Sequence, residues 1–310
     1  MSPFDPDDRS AVIAARREAS RAALARTHRR RRAVALAALG AVLVVLIGVV
    51  QVLAGGDPEL GPQLSLHHQI PAASFVVSPT FGDPEATAVE ETRKRMPVVA
   101  VAGRRKREIA LTFDDGPGPY TPAVAKALDK ARAPATFFQV GQPTQVFRPA
   151  ERSLVENPQF VLADHTEGHL NLSEQSRAKQ ISEIDDAASM LTKSGAPAPQ
   201  LFRPPYGAFN RTTLDLLGRR HMLMVLWTID SQDYERPGVD AIVRRVVDDA
   251  HPGAIVLMHD AGGDRTQTIA AIPKIVKALR AKHYTLVTVP RLLLDNPPPV
   301  KQPAIPVGAG

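Results

Sequence analysis

Five polar clusters in this chain hold the residue types that hydrolytic chemistry needs: Asp114-Asp115, His165 to His169, Arg203 to Gly207, Asp230 to Tyr234, and His259-Asp260. In the second cluster, His165 and His169 have the spacing of two ligands on one cation. A carboxylate from Asp114-Asp115 completes a three-ligand set and leaves positions open for water and substrate, the mark of a catalytic metal site. An ion there polarises a carbonyl oxygen and acidifies water. The chain has no cysteine, so disulfides and thiolate metal sites are excluded. Only one of the adjacent acids is needed as a ligand. The other is free to act as general base, with Arg203 to keep it ionised and aimed. His259 is the candidate general acid for a leaving amine, with Asp233 or Asp230 to orient its ring and raise its pKa. Glu167 reads as a solvated loop position and Trp227 as core or pocket wall. His221, His251 and His283 sit at element boundaries and read as structural, and His67-His68 as solvated linker.

Each cluster follows an apolar run. Strand-like runs are expected at 109–113, 135–140, 160–163, 200–203, 222–229, 254–258 and 284–289. Helix-like stretches alternate with them at 122–132, 145–156, 176–193, 210–220, 240–250 and 266–281. Thr121 and Asn210 stand at helix starts, and Gly195 and Gly218 near helix ends. Seven strands alternating with helices imply a parallel sheet closed into a barrel, whose strand C-terminal ends share one face. The clusters would converge there. Val98 to Val101, joined through Gly103-Arg104 to Ile109, is expected to form a hairpin leading into this region.

The net charge of +6 is concentrated at the N-terminus: residues 1–32 hold nine Arg against four acids, and the remainder carries a net charge of +1. The body of the chain therefore gives no support for nucleic-acid binding. Residues 33–54 are uncharged, with one polar interruption at Gln51. As a helix they span about 33 Å, enough for a bilayer core. The run is too long for the apolar region of a signal peptide and begins too late. With Arg29 to Arg32 just before it, the positive-inside rule puts the N-terminus in the cytoplasm and the rest outside. The expected organisation is a cytoplasmic basic segment (1–32), a transmembrane helix (33–54), a Pro-rich extracytoplasmic linker (55–103), a catalytic domain (104–295) and a disordered tail (296–310). The mixed charges of 91–107 read as a solvated face.

From about residue 108 to 292 the chain resembles the polysaccharide deacetylases, the NodB-like domain of carbohydrate esterase family 4. The resemblance rests on six stretches in the family's order and spacing: 112–117 (TFDDGP), 135–141 (ATFFQVG), 165–169 (HTEGH), 203–207 (RPPYG), 230–234 (DSQDY) and 256–260 (VLMHD). It implies a distorted (β/α)7 barrel that removes N-acetyl groups from an amino-sugar polymer, with Zn2+, or Co2+, as the cofactor. By motif position it makes Asp114 the base, Asp115, His165 and His169 the ligands, Arg203 the support of Asp114, and Asp233 the partner of the acid His259. The Tyr206 backbone N–H would help hold the oxyanion. Leu257 and Tyr234, with Trp227, would wall the substrate pocket. The expected substrate is cell-wall peptidoglycan, acted on by a single-pass protein of the bacterial membrane. Oligomeric state is not legible. The alternatives are a catalytically silent wall-binding module and an O-deacetylase using the same site. Three departures bear on substrate preference: Tyr234 replaces the family's Trp, Asp164 replaces its common Asn, and Pro158 to Leu162 replaces its usual lead-in.

Overall fold

The computed structural model describes residues 84–302. The membrane span expected at 33–54, the basic segment before it and residues 55–83 of the linker lie outside the described residues. Among the described residues, no helix is long and apolar enough to cross a membrane.

The strands are β1 (Val98–Val99), β2 (Glu108–Asp114), β3 (Ala135–Gln139), β4 (Phe160–Asp164), β5 (Leu201–Phe202), β6 (Leu223–Val225), β7 (Ile229–Asp230), β8 (Ala254–His259) and β9 (Thr285–Leu286). The helices are α1 (Pro84–Arg95), α2 (Thr121–Lys130), α3 (Gly141–Val146), α4 (Arg148–Val155), α5 (Arg177–Lys193), α6 (Arg211–Arg219), α7 (Val239–Asp248), α8 (Thr266–Ala281) and α9 (Val289–Asp295). The sheet runs β1-β6-β5-β4-β3-β2-β8-β7, with β9 pairing the start of β2. Every ladder is parallel. The register therefore aligns the strand ends. Asp114 lies opposite both Phe138 and His259, Gln139 opposite Asp164, and Asp230 opposite Leu257.

The central strand β2 is buried along its whole length, and between Glu108 and its polar tip only Thr112 is not apolar. Its two faces differ, as period-two geometry requires. Ile109, Leu111 and Phe113 pack outward against Val124 and Leu128 of α2, Ile242 and Val246 of α7, and Ile272 and Ile275 of α8. Ala110 belongs to the other core, with Phe138, Ala163, Phe202 and Leu257. Thr112 and Asp114 follow it on that inner face, so the acid emerges inside the curl of the sheet. Thr288 caps α9, and the Val289 N–H donates to the inner-face hydroxyl of Thr136 at 3.0 Å.

The architecture matches the expected parallel α/β arrangement, with corrections. The run 222–229 is not one strand. Its first half pairs β5 and β1, and its second half pairs β8. The chain changes partner across Leu226 to Thr228, where the Leu226 N–H donates to Val99 and the Thr228 N–H to Ile255. Between β1/β6 and β7/β8 the strand ladder is interrupted and replaced by an isolated antiparallel bridge, Val101 to Ala254, with the Ala102 N–H donating to Gly253, so the sheet is curled rather than closed. The expected hairpin of 98–101 with 109–111 does not form. β1 joins β6 in parallel instead, because the apolar Val98-Val99 pair fills the edge beside Met224 and Val225. The helix expected at 145–156 is two short ones, α3 and α4, meeting at Phe147.

Two boundaries also move. Residues 84–102, expected within the linker, carry α1 and β1, and α1 contributes Val89 to the core. Its buried stripe is only Val89 and Thr92, flanked by Arg93–Glu90 and Lys94–Glu91 pairs, which hid a packed helix inside a charge run. The tail expected to be disordered from 296 is held as far as it is described. Asn296 is fully buried, its amide donates to Glu108 at 2.8 Å, and its side-chain oxygen accepts from the Lys106 N–H. The Gln302 side chain accepts from the N–H groups of Ala100 and Val101. Asn296→Ala strips the buried Glu108 of that donor and should cost about 1–3 kcal/mol, read as a lower urea midpoint for the full chain. An unchanged midpoint would mean that this end of the chain does not support the fold.

Candidate active site

Asp114 is almost fully buried at the end of β2. Its Oδ1 accepts from Arg203 at 2.7 Å, and its Oδ2 lies 3.8 Å from His165 Nε2. Arg203 is itself fully buried. It donates to the carbonyls of Val225 and Leu226 and to the Thr112 hydroxyl, and its guanidinium lies over the Phe138 ring at 4.0 Å. Burial depresses its pKa, opposed by the Asp114 carboxylate. One oxygen of Asp114 is therefore tied down and the other faces the imidazoles.

Strand geometry alone would send Asp115 to the opposite face from Asp114. It does not go there because Asp115 has φ 75, in the left-handed region. That turn of the backbone brings both carboxylates to one pocket. Asp115 Oδ1 lies 3.0 Å from His169 Nε2 and 3.6 Å from His165 Nε2. Burial opposes the charge on Asp115, but the two imidazoles outweigh it and hold the carboxyl well below its usual range. Gly262, at φ 72, passes so close to this carboxylate that a Cβ there would collide with it. Behind the turn, Asp260 takes a hydrogen bond from Thr121, which in turn accepts from the Gly118 N–H. Burial pushes the Asp260 carboxyl up to about 7.

His165 and His169 leave β4 on a tight loop in which Thr166 and His169 both have positive φ. The Thr166 hydroxyl accepts from the His169 N–H, and Asp164 accepts from the Thr166 N–H. His165 Nδ1 donates to the Arg203 carbonyl at 2.7 Å, which leaves Nε2 with its lone pair toward Asp115. The donor atoms of Asp115, His165 and His169 lie within 4.8 Å of one another. Two free imidazole nitrogens and one ionised carboxylate at that spacing fit a divalent cation. The ring nitrogen turned away from the cluster is fixed by a backbone carbonyl, as ligating histidines require.

Across the pocket, His259 Nδ1 donates to Asp233 Oδ1 at 2.7 Å. Asp233 Oδ2 accepts from the His259 N–H and the Thr268 hydroxyl. Burial works against the charge on His259, but the Asp233 carboxylate, helped by Asp115 and Asp114, pushes its pKa up to about 9. Burial likewise opposes ionisation of Asp233, and the His259 and Thr268 contacts overcome it and lower its pKa. Asp230, left open as the alternative partner, accepts instead from the Tyr234 hydroxyl at 3.1 Å. Tyr234 packs edge-on to His259. Asp233→Asn keeps an acceptor for Nδ1–H but removes the charge that holds the proton on His259. A general acid works only while protonated, so activity falls as pH rises past its pKa. The basic limb of the kcat/KM profile should therefore move to lower pH in Asp233→Asn, read across pH 6–10. A limb that stays in place would remove His259 from the acid's role.

A cavity of about 600 Å³ joins these groups. Leu257, Trp227, Tyr234 and Tyr206 line it, as does an apolar side formed by Pro143 and Phe147. Tyr206 has φ 61 and stacks edge-on against His169. All eleven residues proposed from the sequence thus come together, except that Arg203 and Asp233 lie just behind the cavity surface. Sequence reasoning missed Thr112, Thr121, Thr268, Gly262 and Phe147. Only Thr112 left a signal, two positions before Asp114 and so on its face of the strand.

A family model for polysaccharide deacetylases matches residues 102–225. A Bacillus cereus peptidoglycan-N-acetylglucosamine deacetylase is 40% identical over 188 residues, which cover 60% of this chain and 87% of the relative. A chitooligosaccharide deacetylase of Azorhizobium caulinodans is 32% identical over 211 residues, covering 63% of this chain and all of the relative. Among solved structures, a peptidoglycan N-acetylglucosamine deacetylase in complex with an N-oxidanyl-benzamide superimposes with a TM-score of 0.62 at 28% identity, over 64% of this chain and 94% of the other.

Proposed function

Because the chain belongs to the polysaccharide deacetylase family, carbohydrate esterase family 4, we propose that it hydrolyses N-acetyl groups from an extracytoplasmic amino-sugar polymer, with peptidoglycan N-acetylglucosamine as the substrate. The observation that carries this reading is the pairing of two opposed proton-transfer groups across one cavity. Asp114 is held by Arg203 on one side, and His259 by Asp233 on the other.

Asp115, His165 and His169 would hold the divalent cation, with zinc the proposed ion. Such a cation would supply Lewis acidity to the acetyl carbonyl and to the attacking water. The protein does the rest. Asp114 takes the water's proton on Oδ2, since Oδ1 is engaged by Arg203. The Tyr206 N–H is the proposed donor to the oxygen that gains charge. His259 delivers its proton from Nε2 to the departing nitrogen, because Nδ1 is bound to Asp233. An amide needs that step, since an amine does not leave as an anion. Leu257, Trp227 and Tyr234 exclude water around the acetyl group.

We place this activity outside the cell, with the uncharged run 33–54 as the anchor and Arg29 to Arg32 holding the N-terminus inside. The test is acetate release by the full chain, loaded with zinc or cobalt, from peptidoglycan and from N-acetylglucosamine oligomers. Release that stops on chelation and returns with the ion is the expected result. A metal-loaded chain that frees acetate from neither substrate would refute the proposal.

A further inference from the structure

A second cavity, of about 910 Å³, lies in the seam where the sheet's strand ladder is interrupted. It is bounded by the segment after β1, by Trp227 and Thr228 where the chain changes partner, and by the described end of the chain. Its volume is in the range of ligand sites rather than packing defects. Three features define what it would take.

The first is charge. Arg104, Arg105 and Lys301 line the cavity, and none of them has an ion-pair partner among the described residues. Asp230 is the one acid in the lining, and both its oxygens are already engaged, by the Gln232 N–H and the Tyr234 hydroxyl. The second is backbone. The seam lies between β1 and β7, the two ends of the sheet path, and the segment after β1 crosses it at one antiparallel bridge, Val101 to Ala254. The N–H groups of Ala100 and Val101 are capped there by the Gln302 side-chain oxygen rather than by a strand. A carbonyl of an extended peptide can take the place of such a side-chain cap. The third is position. Trp227 lines both this cavity and the active site, and Asp230 is bonded to Tyr234, which lines the active site.

We propose that the seam cavity binds a short anionic peptide: the carboxylate-bearing peptide side chain of the same polymer whose sugar occupies the active site. Arg104, Arg105 and Lys301 would meet the carboxylates, while Trp227, Pro297 and Pro299 cover the apolar stem. The identity of the polymer rests on the deacetylase reading; the peptide site itself does not. A neutral amino-sugar oligomer offers nothing to these three cations, so the cavity favours a peptide-bearing glycan over a plain chitin-like chain.

The chain has one tryptophan, and it lines this cavity, so its fluorescence reports occupancy without any turnover. The experiment titrates the full chain with N-acetyl-alanyl-glutamyl-alanine, which carries two carboxylates and no amine, with its fully amidated form, and with inorganic phosphate. A saturable fluorescence change with the free-acid peptide is expected, weakened about tenfold by amidation and by Arg104→Glu/Arg105→Glu. No saturable change, an equal response to the amidated peptide, or an equal response to phosphate overturns the proposal, the last in favour of a bare anion site. In acetate-release assays the double variant should lose about tenfold in kcat/KM on a disaccharide-peptide while keeping its rate on N-acetylglucosamine oligomers. Equal loss on both substrates overturns the link to the polymer. A failure of acetate release in the unaltered chain would count against the deacetylase reading and leave the peptide titration standing.

Discussion

Replacing Asp114 by Asn is expected to lower acetate release by about 10²–10⁴-fold while the chain still binds its metal ion, because a general base contributes that much and no ligand is lost. Asn is nearly isosteric, and its side-chain oxygen can keep the 2.7 Å contact with Arg203. Arg203 also retains Thr112 and the carbonyls of Val225 and Leu226 as acceptors, so its burial is not left wholly uncompensated. What disappears is the capacity to accept a proton on the oxygen facing His165. Acetate release, zinc per chain by elemental analysis and the melting temperature would be measured together. Loss of zinc along with activity, in a chain that still melts cooperatively, would show that the two neighbouring acids have the opposite roles.

The second large effect depends on the leaving group. His259→Ala should cost about 10²–10⁴-fold on an N-acetylated sugar, where the departing amine must be protonated. On 4-nitrophenyl acetate the same variant should lose far less, since a nitrophenolate leaves unprotonated. The comparison separates the acid's role from general damage to the pocket, where His259 also packs against Tyr234. Equal losses on amide and ester would mean that His259 shapes the site or positions the water rather than donating the proton.

The strand ends were legible from sequence because β2, β3 and β8 are buried on both faces. Runs that are apolar apart from a buried Thr in β2 and in β3 stop where the polar rim begins, at Asp114, Gln139 and His259. Parallel pairing then aligns those stops without further information. Three things were hidden. The turn of Asp115 depends on one backbone angle, and an Asp-Asp-Gly-Pro string reads the same with or without it. The split at 226–228 leaves only Thr228 as a polar mark, since Leu226 and Trp227 are buried like the residues before them and the change is one of partner. Helix α1 was concealed by its thin buried stripe, and the packed end at Asn296 by the prolines that follow it. Each concerns which partner a segment meets, and local composition does not encode that.

Asp115, Thr166, His169 and Tyr206, all left-handed, belong to the rim that would hold the cation, and left-handed Gln232 precedes Asp233 on the opposite side, whereas Asp114 and His259 end regular strands of the sheet. Backbone in that region is tolerated only where its surroundings enforce it. Here the enforcement comes from protein contacts: Thr166 to His169, Asp164 to Thr166, and Gly262 against Asp115. The consequence concerns maturation. A rim braced by the polypeptide does not require an ion as a folding template, so under the proposed function the chain would assemble empty and take up its metal last.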